Sequence, residues 1–200
     1  MTRSPGVAFG LKAHSGWAAL VVLGERDGAP VVIDRRRIEL VEEAWARQPY
    51  HAAENLKPQA ARELVERGVE AARRMAVREM QAAVERERRR ENDVTACAVL
   101  VGDPMPDWSV DEILAVHFRM HKAEGVLFRD VLVRATRACG LTLVPIPEKR
   151  LPAHAEQALG IPAASLAKKM AALGKSVGPP WGKDQKDAAL AALVALRARR

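Results

Sequence analysis

The chain has 200 residues, 48% of them hydrophobic, which predicts one domain over residues 1–200 and argues against a disordered chain or a membrane protein. It opens without a signal-peptide-like stretch, and its two cysteines lack metal-ligand spacing, so we expect a reduced, cytoplasmic protein. The formal net charge of +7 favours a nucleic-acid partner without establishing one.

Three apolar runs near the start of the sequence predict three strands. They cover residues 7–11, 17–23 and 31–40. The segment from Gly24 to Gly28 is rich in turn formers, which favours an antiparallel hairpin between the second and third strands. A turn at His14, Ser15 and Gly16 is expected between the first two.

A long amphipathic helix is predicted next, over residues 58–91. Pro58 is tolerated in a first turn, and apolar residues from Ala61 to Val84 recur at spacings of three and four. The end of this helix, Arg86 to Arg90, is strongly basic. Glutamates interleave with the arginines, so a solvated helix is the simpler interpretation and an added partner-binding surface is the alternative.

Two further strands and several helices complete the predicted elements. The strands cover residues 95–101 and 141–146, and each is a continuous apolar run typical of a strand buried on both faces. A capping box at Ser109 and Glu112 starts a helical region that we expect to break near Gly125. Further helices are predicted at 163–173 and 184–199.

The order of these elements predicts the fold class. Three antiparallel strands followed by two crossover strands, flanked by helices, give an α/β mixed five-stranded sheet that resembles the ribonuclease-H-like arrangement. No GxGxxG loop joins an early strand to a helix, which argues against a dinucleotide-binding fold.

The last predicted helix opens with two aspartates, Asp184 and Asp187. Their spacing places both carboxylates on one helix face, and carboxylate oxygens are ligands that suit a hard divalent cation such as Mg²⁺. Helix capping and the helix dipole also explain aspartates at this place without any ligand, so both interpretations stay open.

Several segments together resemble the RuvC-like crossover-junction (Holliday-junction) endodeoxyribonuclease family. The segments are Ser15 to Ala18, Lys122 to Val126, Leu141 to Leu151, and the sequence DQKDAALA from Asp184 to Ala191. The resemblance covers the region up to about Leu20 and the region from Lys122 onward. It implies a ribonuclease-H-like fold and a role in DNA recombination and repair.

The resemblance also implies a metal-dependent nuclease site. Members of the family hold two Mg²⁺ or Mn²⁺ ions with four carboxylates and cleave DNA phosphodiesters. The positions that match three of these carboxylates are Asp103, Asp184 and Asp187, and we expect Asp103 to face the start of the last helix. The fourth falls on Phe9, which binds no metal, and His14 is a speculative substitute ligand.

If the chain is an enzyme, the resemblance implies a Mg²⁺- or Mn²⁺-dependent endodeoxyribonuclease, but Phe9 predicts weak or absent activity. The function we infer is therefore binding of DNA, including branched DNA, or of RNA. A non-catalytic scaffold for protein contacts is the alternative; a homodimer is left open, and no membrane partner is expected. Candidate phosphate contacts are Arg88, Arg89, Arg90, Lys168, Lys169, Lys183 and Lys186.

A second metal pattern lies in the middle of the chain. His117, His121 and Glu124 are spaced so that a helix brings them to one face, a geometry that zinc can use. The pattern is not HExxH, and the sequence offers no evident further ligand. A partly exposed histidine face is the simpler interpretation, and a zinc site is the alternative.

Overall fold

A five-stranded mixed sheet forms the centre of the fold. The structure, a computed structural model, describes residues 4–198. The strands are β1 (Gly6–His14), β2 (Trp17–Arg26), β3 (Ala29–Glu39), β4 (Asp93–Val101) and β5 (Thr142–Pro147). Their order across the sheet is β3-β2-β1-β4-β5. β2 is antiparallel to both β1 and β3, whereas β4 and β5 run parallel to β1. The ribonuclease-H-like order predicted from the sequence is confirmed.

Helices cover both faces of this sheet. Within residues 4–198 they are α1 (Pro49–Ala53), α2 (Pro58–Arg89), α3 (Val110–Leu114), α4 (His117–Ala138), α5 (Leu151–Leu159), α6 (Ala163–Val177) and α7 (Lys183–Arg197). None of them is both long enough and apolar enough to cross a membrane. Arg199, the predicted end of the last helix, lies outside the described residues.

The structure adds two helices, α1 and α5, and moves one helix break. The break lies at Ala115 and Val116, between α3 and α4, and the prediction near Gly125 was wrong because that residue is inside α4. A glycine in a helix interior costs only about 1 kcal/mol. Buried side chains on both sides of it, such as Ala123 and Leu127, hold α4 against the core.

The hairpin between β2 and β3 is tighter than predicted. The two strands stay paired as far as Arg26 and Ala29, so the turn consists of Asp27 and Gly28 alone. Both turn residues have positive φ values, 51° and 77°. A two-residue hairpin turn requires this backbone conformation, which glycine and aspartate adopt readily.

The side chains of β1 alternate between two layers of the core. Phe9 and Leu11 belong to the apolar cluster that packs against α2 and α4. Gly10 and Lys12 point to the other face, where α7 covers the sheet. The strand therefore carries core residues on one side and reaches the start of α7 on the other.

Helix α7 comes very close to β1 at Gly10. A Cβ atom at this position would lie 1.9 Å from the carbonyl oxygen of Ala188 and 2.7 Å from the backbone nitrogen of Ala192. No side chain fits there, and the alanines of α7 allow the helix backbone to rest on the strand. This contact places the first turn of α7, with Asp184 and Asp187, beside the carboxyl end of β1.

Replacing Gly10 with alanine should destabilise the fold by about 1–3 kcal/mol, because α7 has to move away from β1 to make room for the methyl group. Gly125→Ala is the control, since the nearest atom to its Cβ would be 3.9 Å away and the change should stabilise α4 by about 0.5–1 kcal/mol. Urea denaturation measures both. Native stability in Gly10→Ala would contradict the close contact.

Candidate active site

A cleft of about 680 Å³ opens at the carboxyl ends of β4 and β5. Its lining comes from residues 101–103 after β4, residues 147–152 after β5, Arg129 of α4, and Lys183 and Asp187 at the start of α7. In α/β folds, ligands commonly bind at the carboxyl ends of parallel strands. The cleft is therefore where we expect a ligand to bind.

Lys12 of β1 lies among three carboxylates at this edge of the sheet. Its Nζ atom is 2.7 Å from Asp187 Oδ2, 3.2 Å from Asp184 Oδ1 and 3.4 Å from Glu148 Oε1. The Lys12 side chain is only 6% exposed, and those of the three acids are 20–28% exposed. We call Glu148, Asp184 and Asp187 the acid cluster.

Each carboxylate of the acid cluster has a second basic neighbour. The contacts are Arg129 Nη2 to Glu148 Oε2 at 2.7 Å, Lys183 Nζ to Asp187 Oδ2 at 2.6 Å, and His14 Nε2 to Asp184 Oδ2 at 3.1 Å. Lys12, Arg129 and Lys183 carry three positive charges against the three negative charges of the cluster. The site is thus electrically balanced by protein side chains before His14 is counted.

Burial and ion pairing shift the pKa values in this site. Burial alone lowers the pKa of the Lys12 amine, but Asp187, Asp184 and Glu148 outweigh it and raise the pKa above its usual range. Burial also raises the pKa of Asp184 and Glu148. Hydrogen bonds from Lys12 to Asp184 and from Arg129 to Glu148 outweigh that effect and hold both carboxyls below their usual pKa. Lys12, Asp184 and Glu148 are therefore charged at neutral pH.

The loop before α7 is fixed to the rest of the protein. The Arg35 guanidinium of β3 donates hydrogen bonds to the carbonyl oxygens of residues 177–180 at 2.6–2.9 Å. Trp181 packs so closely on Gly174 that a Cβ there would lie 2.1 Å from the indole, and its Nε1 donates to the Met170 carbonyl at 2.8 Å. These contacts fix the position at which the acidic first turn of α7 begins.

The structure brings together two of the three predicted acids. Asp184 and Asp187 both contact Lys12 from the same helix face. Asp103 lines the same cleft as Asp187, but its carboxylate is 65% exposed and bonds to Lys149 Nζ at 2.7 Å. This hydrogen bond lowers the pKa of Asp103. Asp103 lies at the rim of the cleft, where Lys149 is its ionic partner.

Phe9, the position compared with a first-strand acid, does not face the acid cluster. Its side chain is fully buried in the layer that packs against α2 and α4, on the far side of the sheet from the acid cluster. The β1 side chain that faces the cluster is Lys12. Side chains along a strand alternate between its two faces. Phe9 and Lys12 are an odd number of residues apart, so they lie on opposite faces of the sheet.

Sequence reasoning missed the roles of Lys12 and Glu148. Lys12 is the only lysine, arginine or acidic residue of β1, and an isolated charge in an apolar strand indicates a buried ionic partner. Glu148 follows the end of β5 at the sheet edge where Asp103 follows β4. Both signals are present in the sequence, but each becomes specific only when the strand order is known.

The predicted phosphate contacts lie on separate surfaces. Lys183 lines the cleft, and Lys186 is exposed close to it on α7. The other candidates lie toward the opposite edge of the sheet, near the starts of β1 and β4 or the turn between β2 and β3. They are Arg88, Arg89, Arg90, Lys168 and Lys169.

Comparison with solved structures identifies the fold. Two structures of Thermus thermophilus RuvC, one of them in complex with a Holliday junction substrate, align with this chain at a TM-score of 0.52 and 13% sequence identity. The chain has the fold of RuvC. The alignments cover 96% of this chain and 94% and 95% of the two RuvC chains. No family model and no curated protein matches the sequence, so the likeness to RuvC is one of three-dimensional fold.

The acid cluster does not fit a pair of magnesium ions. Mg²⁺ needs oxygen ligands at about 2.0–2.1 Å in octahedral geometry, whereas Lys12 Nζ lies within 3.4 Å of an oxygen atom from every carboxylate of the cluster. An ammonium group and a divalent cation at such separations repel each other. A magnesium ion would have to displace Lys12 before it could bind these oxygens.

Removing the Lys12 ammonium should destabilise the protein much more than removing an exposed lysine of the same site. Lys12→Met removes the buried ammonium that all three carboxylates share and leaves each with a single basic neighbour, and we expect a loss of about 3 kcal/mol at neutral pH. Lys183→Met removes a 78% exposed side chain that pairs with Asp187, and surface pairs contribute only about 0–1 kcal/mol. Urea denaturation of the native protein and both variants gives the comparison.

This loss should shrink in acid. The pKa values of Asp184 and Glu148 are lower in the folded than in the unfolded chain, so their pairing stabilises the native protein above the unfolded-state pKa of about 4 and is lost as the pH falls. Lys12→Met should therefore approach native stability as the pH falls from about 4 through the lower folded-state pKa values of these two carboxyls. A loss that stays constant with pH would contradict an electrostatic role for Lys12.

Proposed function

We propose that the protein binds nucleic acid at the cleft beside the acid cluster and does not hydrolyse it through divalent metal ions. The observation that carries the proposal is the Lys12 ammonium among three carboxylates. In the nuclease family that the sequence resembles, carboxylates hold metal ions. Here, protein side chains supply the positive charge in that place.

A lysine cannot perform the chemistry of a metal pair. Metal ions coordinate the attacking water, lower its pKa and stabilise the leaving oxygen. The Lys12 ammonium has no free coordination positions, and its raised pKa keeps its protons bound. It contacts the three carboxylates, and it cannot coordinate and activate a water molecule as a metal ion does.

Exposed cations at the rim of the cleft support binding of phosphate groups. The side chains of Lys149 and Lys183 are 82% and 78% exposed, and Arg150 is exposed beside them. All three line the cleft. Cations on such a surface gain affinity for nucleic acid because each neutralised phosphate releases condensed counterions. The RuvC structure of the same fold in complex with a Holliday junction substrate makes branched DNA the first ligand to test.

The binding test compares two variants that lose the same charge. The triple variant Lys149→Ala/Arg150→Ala/Lys183→Ala should weaken binding of four-way junctions roughly tenfold or more. It should also reduce the slope of the logarithm of the association constant against the logarithm of the salt concentration by about 2–3. Arg74→Ala/Arg88→Ala/Arg89→Ala removes three exposed arginines of α2 and should leave both nearly unchanged. Fluorescence anisotropy at several salt concentrations provides the measurement.

Three outcomes of this titration would overturn the proposal or its location. Equal and negligible affinity for junction, duplex and single-stranded DNA and for RNA at low salt would favour the scaffold for protein contacts. Weaker binding in the α2 variant, with native binding in the cleft variant, would move the interface to α2. Equal losses in both variants would indicate non-specific attraction by the net charge of +7.

Catalysis is tested separately from binding. Labelled four-way junctions incubated with Mg²⁺ or Mn²⁺ should stay intact with the native protein, because no pair of ions assembles at the acid cluster. Asp187→Asn should behave in the same way. Strong Mg²⁺-dependent cleavage that disappears in Asp187→Asn would show that the cluster holds metal ions despite Lys12.

A further inference from the structure

Three histidines from two helices meet at the surface of the protein. His51 belongs to α1, and His117 and His121 belong to the first turns of α4. One ring nitrogen from each residue lies within 4.8 Å of a ring nitrogen of each of the other two. The centroids of the three imidazole rings are 4.6–5.2 Å apart. We call these residues the histidine cluster.

We propose that the histidine cluster binds a divalent transition-metal ion, with zinc as the expected ion. His117 Nε2 and His121 Nε2 are 3.1 Å apart. Two nitrogen ligands of one tetrahedral zinc ion, each at 2.0–2.1 Å, are separated by about 3.3 Å. A movement of a few tenths of an ångström therefore converts this pair of rings into two zinc ligands.

A buried carboxylate orients the third ring. Glu124 is 5% exposed, its Oε2 lies 2.7 Å from His51 Nδ1, and its Oε1 accepts a hydrogen bond from the His51 backbone N–H at 3.2 Å. With Nδ1 directed at the carboxylate, Nε2 of His51 is left for a ligand. Histidines that bind metals usually donate their other nitrogen to a carboxylate in this way.

A second carboxylate repeats the arrangement at His117. Its Nδ1 lies 3.5 Å from Glu54 Oε1, while its Nε2 faces His121. Two of the three rings thus have one nitrogen beside a carboxylate and the other nitrogen available. The site differs from the sequence pattern of His117, His121 and Glu124, because Glu124 holds a ligand in position and His51 supplies the third ligand.

The chemistry of the cluster selects the class of ion. Imidazole nitrogens suit zinc, copper and nickel, whereas magnesium prefers oxygen ligands. Three rings this close can each donate a nitrogen lone pair to the same metal ion. The fourth position is open to solvent, since the His117 side chain is 62% exposed. A bound ion would link the short helix α1 to α4 above the apolar cluster that contains Tyr50 and Met120.

The test uses tag-free protein freed of metal with a chelator. Titration with Co²⁺ should give visible absorption typical of tetrahedral nitrogen coordination, saturating at one ion per chain, and Zn²⁺ should displace the cobalt. His121→Ala should abolish this signal. Glu124→Gln, if circular dichroism shows it folded, should weaken Zn²⁺ binding about 10- to 100-fold by calorimetry.

Two controls separate this site from other imidazole and carboxylate groups of the chain. His154→Ala removes the histidine of α5, and Asp187→Asn alters the acid cluster; both should bind Co²⁺ and Zn²⁺ like the native protein. Absence of saturable binding in the native protein would overturn the proposal. So would binding that is unchanged in His121→Ala or lost in Asp187→Asn.

Discussion

The close contact between α7 and β1 at Gly10 determines where the charged groups of this protein meet. Only a glycine lets the backbone of α7 rest on the strand at this point, since a Cβ would lie 1.9 Å from the Ala188 carbonyl oxygen. Two residues further along the same face of β1 is Lys12, and one turn before Ala188 on α7 is Asp184. The geometry of the acid cluster therefore follows from a packing contact that carries no charge.

The acid cluster is stable because its charges balance locally. Three partly buried carboxylates without partners would repel each other and lose hydration. Lys12, with Arg129 and Lys183 at the sides, compensates them at hydrogen-bonding distances. Divalent ions can compensate carboxylates in the same way, but a lysine is covalently attached to β1. The RuvC fold is thus compatible with a site whose electrostatics do not require metal.

The histidine cluster is chemically independent of this site. It depends on α1 and α4 and on nitrogen ligands, whereas the acid cluster depends on β1, β5 and α7 and on oxygen atoms. A metal ion at the histidines would therefore leave the charge balance around Lys12 intact. The two sites respond to different variants, which lets each be tested alone.

The sequence predicted the fold well because strand and helix patterns are local. Apolar runs located the five strands found in residues 4–198, and helical periodicity located α2. Helix geometry alone placed Asp184 and Asp187 on one face. Contacts between distant segments were not predictable in this way. Lys12 meets Asp187 across 175 positions of sequence, and His51 approaches α4 only because the unpredicted helix α1 folds over it.

The most direct test of the account follows the Lys12 side chain by nuclear magnetic resonance in lysine labelled with ¹³C at Cε, with Lys12→Arg used to assign its signal. This signal should titrate at a pH above the usual range for lysine, shift to a lower pKa in Asp184→Asn, and stay unchanged when Mg²⁺ is added. A pKa in the usual range, or a saturable change with Mg²⁺, would contradict the claim that Lys12 holds the place of the metal ions.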